Sequence, residues 1–195
     1  MPGAWLPDHQ VRIAPGNPQP CRGHGGLIIR SERVAFLYAI ALGSNRRGRH
    51  GSPAATVRAA AAAIGARRLS RIRLTPALGP AGRGFANAVA LAESALEPPA
   101  LLACLKALER DFGRRGGRLW GPRVLDLDII LWSEGAWEGG GLVVPHPAFR
   151  GRAFVLEPLA ELAPGWRDPV TGATVRQLLS RLARPRPVDR RPART

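Results

Sequence analysis

The sequence lacks several features that would assign it to common protein classes. It has no apolar run long enough to cross a bilayer, and its N-terminus lacks the charged and then apolar segments of a signal peptide. It has no Gly-x-x-x-x-Gly-Lys motif, which excludes a P-loop as a phosphate-binding device. These absences predict a cytoplasmic protein that is not membrane-bound and that holds phosphates, if it binds them, by another device.

Lysine is also nearly absent, since Lys106 is the only one among 29 basic residues. Arginine therefore carries the formal net charge of +15, and residues 34–180 keep an excess of eight basic over acidic side chains. Such a charge favours a polyanionic ligand, either a nucleotide or a nucleic acid. Genomic composition is an alternative cause of a bias toward arginine.

The length of 195 residues suits one domain. Residues 1–33 are rich in Pro and Gly and show no sustained period, so we expect them to be disordered, or translated from a start codon set too far upstream. Residues 34–182 are predicted to form the domain, and residues 183–195 a disordered basic tail.

The domain alternates strand and helix patterns, and Pro, Gly and Ser mark the boundaries of each segment. The order predicts a βαββαβ core of the ferredoxin-like α+β class, followed by a C-terminal extension. The predicted elements are a strand at 35–42, a helix at 53–64, strands at 69–75 and 85–91, a helix at 98–112, a strand ending at Leu131, a short apolar run at 154–156 and a helix near 174–182.

The last predicted core strand carries two carboxylates in an Asp-x-Asp pattern. Strand alternation places Asp126 and Asp128 on one face, about 6–7 Å apart at their Cα atoms, and the apolar residues Leu125, Leu127, Ile129 and Leu131 on the other. Two like charges this close favour a divalent cation such as Mg²⁺ shared with substrate phosphates. The alternative is an ion-paired surface with the arginines that precede the pair: Arg114, Arg115, Arg118 and Arg123.

Three further patterns each have a functional and a structural interpretation. The basic, glycine-containing residues 114–118 could close over a triphosphate, or form a solvated loop. Phe85 and Phe154 could hold a flat heterocycle while Asn87 reads its edge, or both rings could belong to the core. His146 could donate to a phosphate, although a lone histidine is more often structural.

Five sequence blocks, taken together, give a specific resemblance. These blocks are Ala-Leu-Gly-Ser-Asn at 41–45, Thr-Pro at 75–76, Phe-Ala-Asn-Ala-Val at 85–89, Trp-Gly-Pro-Arg-Val-Leu-Asp-Leu-Asp-Ile at 120–129 and Val-Pro-His-Pro at 144–147. From residue 35 to 182 the chain resembles the 6-hydroxymethyl-7,8-dihydropterin pyrophosphokinase family of folate biosynthesis. The resemblance implies transfer of diphosphate from ATP to the pterin hydroxymethyl oxygen with release of AMP, and two Mg²⁺ ions bound by Asp126 and Asp128.

The resemblance also assigns binding and catalytic roles. Catalysis would depend on Arg114, Arg123, Asp126 and Asp128. The pterin would contact Thr75, Pro76, Leu78, Phe85, Asn87, Trp120 and Phe154. ATP would contact Glu109, Arg114, Arg118, Trp120, Arg123, Ile129, His146 and Arg152.

Some positions depart from the family pattern. The loop at 81–84 lacks the Gln-Pro-Asp often found there, and Arg118 could match either of two family arginines. Pro147 stands where an aromatic residue is common. These differences affect single ligand contacts more than the assignment.

A small RNA-binding module is the competing hypothesis, because it shares the fold type and the positive charge. It is disfavoured by two acids on a central strand and by the absence of a Lys/Arg-Gly-Phe-x-Phe strand signature. The expected partners are therefore ATP and the pterin, with no specific nucleic acid and no membrane, and the expected state is a monomer.

Overall fold

The computed structural model describes residues 35–76, 84–113 and 124–184. Within these ranges the chain forms seven strands, four helices and a 3₁₀ turn. In chain order they are β1 Phe36–Ser44, α1 Pro53–Ala63, β2 Arg68–Leu69, β3 Arg73–Thr75, β4 Phe85–Ser94, α2 Pro98–Asp111, β5 Asp126–Trp132, β6 Trp137–Gly139, β7 Leu142–Val144, the turn Phe149–Gly151, α3 Ala153–Leu162 and α4 Val175–Ala183.

The main sheet has the strand order β2-β4-β1-β5, and β3 also pairs with β4. All of these pairs are antiparallel. Strand β5, which carries Asp126 and Asp128, thus lies at the edge of the described sheet, so the expectation that the two acids sit on a central strand is wrong. The mixture of an antiparallel sheet with helices confirms the predicted α+β class. The element order through β5 is a strand, a helix, three strands, a helix and a strand.

One predicted strand, at 69–75, is divided into β2 and β3 by residues 70–72, of which Ser70 still bonds to β4. The Ser70 N–H donates to the Val89 carbonyl, and the Ser70 Oγ accepts from the Val89 N–H, each at 3.0 Å. A side-chain oxygen thus replaces a backbone carbonyl in the ladder. The pairing with β4 is kept on both sides of this irregular residue.

Strand β1 is buried on both faces, because helices cover the sheet from two sides. Tyr38, Ile40 and Leu42 pack in one cluster, beneath α1 and α2, and Ala39 packs in a second cluster, beneath α3 and α4. This alternation is the period of two expected of a strand. We call the side covered by α3 and α4 the α3 face.

A bulge in β5 changes the predicted alternation. Ala39 pairs with Leu131 and Ile40 pairs with Ile129, so Ile130 is an extra residue without a partner on β1. Leu131 therefore lies in the cluster on the α3 face, and its predicted position beside Leu127 and Ile129 is wrong. Asp126 and Asp128 precede the bulge, so their shared face is kept.

The predicted ends of α1 and α2 are confirmed. The Ser52 Oγ accepts from the Ala55 N–H at 3.2 Å and caps α1, and Gly65 adopts a positive φ of 64° just after it. Helix α2 begins with Pro98, and Gly113 at φ 96° follows its last turn. Thr174 and Gln177 form a capping box that starts α4.

Helix α3 was not predicted as a helix. Only a short apolar run was recognised at its start, although Val155, Leu156, Leu159 and Leu162 are all buried and have helical spacing. The internal Pro158 argues against a helix on sequence grounds. The predicted connector at 135–141 likewise contains β6, which turns into β7 through Gly140 and Gly141 at positive φ.

None of the helices in the described parts of the chain is both long enough and apolar enough to span a membrane.

Candidate functional site

Three neighbouring strands place Asn87, Gly43 and Asp126 side by side. Gly43 on β1 pairs with Asn87 on β4 and with Asp126 on β5. A Cβ at Gly43 would lie 3.4 Å from the Asn87 Oδ1 and 4.0 Å from the Asp126 Cβ. The missing side chain therefore leaves a narrow open space between an amide and a carboxylate on the α3 face.

Asp128 lies one strand period beyond Asp126 and pairs with Ala41, another small residue. Its side chain is 34% exposed, and its Oδ1 lies 3.6 Å from the Lys106 Nζ. Both acids are partly exposed, whereas Leu127 between them is buried in the opposite cluster. The predicted sharing of one face by the two carboxylates agrees with this register.

A second polar group of this face is formed by Asn87 and Thr75. The Asn87 Nδ2 donates to the Thr75 Oγ1 at 2.8 Å, and this bond fixes the orientation of a largely buried amide. Phe85 pairs with Thr75 and lies on the same face of β4 as Asn87. Pro76 follows directly in the chain.

The two phenylalanines approach this face from different elements. Phe154, near the start of α3, packs against the cluster under the α3 face, whereas Phe85 begins β4. Among the ring contacts of the described residues, none joins Phe85 to Phe154. The two rings thus share a face without stacking on one another.

His146 directly follows the cis Val144–Pro145 peptide, and two hydrogen bonds hold it in place. Its backbone N–H donates to the Ile130 carbonyl at 3.1 Å, and its ring Nδ1 accepts from the Ala148 backbone N–H at 3.2 Å. The neutral ring therefore carries its proton on Nε2. Burial lowers the pKa of His146, although the Asp128 carboxylate acts in the opposite direction.

Arg152 lies near His146 and occupies the N-cap position of α3, where its side chain makes no capping hydrogen bond. Its positive charge contributes to the lowered pKa of His146, and its guanidinium lies 5.8 Å from the centroid of the Phe154 ring. Asp126, Asp128 and Arg152 thus all lie close enough to His146 to act on it electrostatically. In the sequence His146 and Arg152 follow Asp128 by 18 and 24 residues.

Glu109 and Ile129 occupy positions that differ from those of the other predicted ATP contacts. Glu109 is 1% exposed, and its Oε1 accepts from the Leu127 N–H and from the Lys106 Nζ, each at 2.7 Å. Ile129 is buried beneath α1 and α2, on the face opposite the two aspartates. The ATP-binding role of both residues stays a prediction.

A buried ion pair anchors the 3₁₀ turn between His146 and Arg152. The Arg150 Nε and Nη2 donate to the two carboxylate oxygens of Asp168, each at 2.7 Å, and Asp168 is fully buried. Thr171 also donates to Asp168. This pair links the turn to the loop that precedes α4, and it has no signal in the sequence.

Lys106 and Gly43 are the other two positions whose importance was missed. Lys106 is distinguished in the sequence as the only lysine, which is the one signal that could have selected it. For Gly43 the sequence indicates either an approach of the backbone to a ligand or an ordinary turn, but not its place between Asn87 and Asp126. The predicted residues Leu78, Arg114, Arg118, Trp120 and Arg123 lie outside the described residues, as do residues 1–34, 81–83 and 185–195.

Comparisons with known proteins point to a single family. The family model described as 7,8-dihydro-6-hydroxymethylpterin-pyrophosphokinase (HPPK) matches residues 39–164. A protein of Synechocystis sp. named 2-amino-4-hydroxy-6-hydroxymethyldihydropteridine pyrophosphokinase is 43% identical over 106 residues, which cover 54% of each chain. A Pseudomonas aeruginosa protein of the same name is 45% identical over 102 residues, covering 52% of this chain and 63% of that protein.

The chain thus spans between about half and two thirds of the length of these curated relatives. Among solved structures, one titled as HPPK-DHPS in complex with substrates has a TM-score of 0.59 at 10% identity, covering 75% of this chain and 44% of that one. Wild-type HPPK-DHPS of Plasmodium falciparum has a TM-score of 0.57 at 12% identity, covering 80% of this chain and 42% of that one. These structures support the fold, and the family model covers well over half of the sequence. The chain belongs to the 7,8-dihydro-6-hydroxymethylpterin-pyrophosphokinase family.

Proposed function

We propose that this chain transfers diphosphate from ATP to 6-hydroxymethyl-7,8-dihydropterin, releasing AMP and the pterin diphosphate, in folate biosynthesis. The observation that carries the proposal is the row of Asn87, Gly43 and Asp126, with Asp128 one strand period away. This row lies within the part of the chain that the family model matches. It combines an amide suited to a heterocycle with two carboxylates suited to a metal–phosphate complex.

The core is proposed to be ferredoxin-like. In support, the strand order β2-β4-β1-β5 is antiparallel throughout, and β2 and β3 together occupy the place of one strand. Helix α1 follows β1, and α2 precedes β5, the last strand of the main sheet, as a βαββαβ unit requires.

The donors around the two aspartates fit Mg²⁺. The carboxylates of Asp126 and Asp128 are hard oxygen ligands on one face, beside the open space at Gly43. Within residues 35–76, 84–113 and 124–184, no group of three or more His, Cys, Asp or Glu could enclose a metal ion. Two protein carboxylates, with the remaining positions left to water and phosphate oxygens, is how proteins commonly hold Mg²⁺.

Mg²⁺ bound by Asp126 and Asp128 would supply charge neutralisation for the phosphates and would lower the pKa of the acceptor hydroxyl. The number of two ions is an expectation from the family resemblance. The work of the chain's own residues is mainly positioning, because phosphoryl transfer requires little covalent chemistry from protein groups. We assign no side chain as a general base.

The pterin is proposed to bind over the α3 face between Phe85 and Phe154. Asn87 and Thr75 would read the edge of the heterocycle, since the bond between them fixes the amide and leaves the Oδ1 toward Gly43. Gly43 would then let the acceptor lie between the amide and the acids. Pro76, Leu78 and Trp120 are further pterin contacts that we infer from the family resemblance.

The ATP side is proposed to begin at His146 and Arg152. A neutral His146, with its proton on Nε2, can donate to a phosphate oxygen, and Arg152 supplies a permanent positive charge. From the resemblance alone, Arg114 and Arg123 would stabilise the charge of the transferred group and of the leaving AMP, and Arg118, Trp120, Glu109 and Ile129 would contact the nucleotide.

The family membership favours this enzyme over the RNA-binding module, which no observation on the site supports. A monomeric state and a cytoplasmic location stay predictions from the sequence.

The proposal is tested by measuring AMP formation by the full chain with ATP and the reduced pterin. We expect AMP release that requires both the pterin and Mg²⁺. AMP release that is independent of the pterin, or no turnover by folded protein, would contradict the proposal. RNA binding with a steep salt dependence and no turnover would favour the alternative.

A further inference from the structure

Strand β5, which carries both aspartates, is fastened to α2 by two side chains. In the described sheet β5 pairs only with β1, so one edge of its backbone faces away from the ladder. At this edge the Leu127 N–H donates to the Glu109 Oε1 at 2.7 Å, and the Leu127 carbonyl accepts from the Lys106 Nζ at 2.8 Å. The residue held in this way is the one between Asp126 and Asp128.

Lys106 and Glu109 also bind each other, at 2.7 Å and with an i,i+3 spacing that places them on one side of α2. The Lys106 Nζ thereby reaches three acceptors, namely the Glu109 Oε1, the Leu127 carbonyl and, more distantly, the Asp128 Oδ1 at 3.6 Å. An ammonium group has three N–H donors around one atom, whereas a guanidinium is a planar fork. An ammonium therefore suits this position, which holds the only lysine of the chain.

We propose that Lys106 is a positioning residue for the two-aspartate site. Its ammonium fixes the backbone between the acids and holds the Asp128 carboxylate at the β5 edge, while its charge opposes a divalent cation at the same carboxylate. This inference rests on the proposed function for its catalytic consequence. The effect on cation affinity depends only on the distances given above.

The proposal predicts a separation of two quantities. Replacing the ammonium by a neutral group removes a positive charge 3.6 Å from Asp128, so cation binding becomes tighter. The same change releases the carboxylate from its fixed position, so kcat falls. The KM for the pterin stays unchanged, because Asn87 lies on the other side of Gly43. A purely structural lysine would weaken stability without this separation.

The test compares Lys106→Gln with the unmodified chain. Mn²⁺ alone is titrated and the free ion is followed by electron paramagnetic resonance, and steady-state AMP formation is measured separately. We expect Mn²⁺ affinity to rise at least about threefold, kcat to fall at least about fivefold and the pterin KM to change by less than about twofold. Unchanged or weaker Mn²⁺ binding, or an unchanged kcat, would overturn the proposal.

Two variants serve as controls. Arg110→Gln removes one exposed positive charge from the same helix, and we expect all three quantities to stay within about twofold of the unmodified values. Lys106→Arg restores the charge, so Mn²⁺ affinity should return to within about twofold of the original value. A shift in Arg110→Gln equal to that in Lys106→Gln would mean that only net charge matters and would overturn the proposal.

If Lys106→Gln fails to fold, the double variant Lys106→Gln/Glu109→Gln is compared with Glu109→Gln, because these two chains again differ only in the Lys106 charge and the double variant leaves no buried carboxylate without its partner. Absence of AMP release by the unmodified chain would overturn the proposed function. The Mn²⁺ comparison would then decide the role of Lys106 by itself.

Discussion

The buried pair of Arg150 and Asp168 offers a quantitative test of how the site is supported. Asp168 is fully buried and Arg150 is 29% exposed, and two hydrogen bonds of 2.7 Å join them. Removing one partner of such a pair leaves the other charge without compensation and costs about 3–5 kcal/mol. Because Arg150 keeps some contact with water, we expect Asp168→Asn to lower the free energy of unfolding by about 3 kcal/mol.

A loss of this size corresponds to a decrease in Tm of about 6–12 °C for a domain of this length. Urea unfolding followed by tryptophan fluorescence and calorimetry would measure both quantities. Arg67→Gln is the matched control, because the Arg67–Glu93 pair is as short at 2.6 Å but its side chains are 67% and 31% exposed. For an exposed pair we expect a loss below about 1 kcal/mol.

The same pair predicts a pH dependence. Burial alone raises the pKa of Asp168, but hydrogen bonds from Arg150, Thr171 and the Val170 N–H outweigh it and leave the pKa below its ordinary value of 3.8. The ionised form is therefore favoured by folding, and its contribution is complete above the unfolded-state pKa and is lost as the pH falls through the folded-state value. The stability gap between the unmodified chain and Asp168→Asn should narrow as the pH falls below about 4.

The reasoning would be refuted if Asp168→Asn cost no more than Arg67→Gln, or if its effect were the same at pH 3 as at pH 7. A stability loss without any change in pH dependence would mean that packing, rather than the ion pair, carries the contribution of Asp168.

Two further predictions concern Asn87 in the proposed pterin site and Gly48 in the turn before α1. Asn87→Ala removes the amide that donates to Thr75, so the KM for the pterin should rise at least about tenfold. The KM for ATP, measured in the same assay, should stay within about twofold. Equal changes in both KM values would contradict the assignment of Asn87 to the pterin site. Gly48→Ala places a Cβ 2.6 Å from the Val124 Cγ1, so we expect the free energy of unfolding in urea to fall by about 1–3 kcal/mol. Gly165→Ala is the control, because a Cβ there has no atom within 4 Å, and we expect a loss below about 0.5 kcal/mol. If Gly48→Ala were as stable as Gly165→Ala, the close approach of Gly48 to Val124 would be wrong.

Local sequence signals were sufficient for much of the fold. Ser52 and Pro53 predicted the start of α1, and the glycines at 65 and 113 predicted two helix ends, because these residues act through their own backbone conformations. The Asp-x-Asp pattern predicted the shared face of the two acids for the same reason. Strand alternation is a local property.

Features that depend on the pairing of distant segments could not be predicted in this way. The bulge at Ile130, which moves Leu131 to the α3 face, is visible only in the register against Ala39 and Ile40. Helix α3 was not predicted because only the apolar run at 154–156 was recognised, and the helical spacing continues through Leu159 and Leu162, past the internal Pro158. The hydrogen bond from Lys106 to the Leu127 carbonyl joins residues 21 positions apart, and no sequence pattern predicts it.

The most direct test of the central claim is AMP formation by the isosteric variant Asp128→Asn, assayed with ATP, Mg²⁺ and 6-hydroxymethyl-7,8-dihydropterin. Glu138→Gln, which neutralises an exposed acid on β6, is the control for net charge. We expect Asp128→Asn to stay folded and to lose at least about a hundredfold in kcat, while Glu138→Gln keeps the activity of the unmodified chain. Near-normal AMP release by Asp128→Asn would contradict the account.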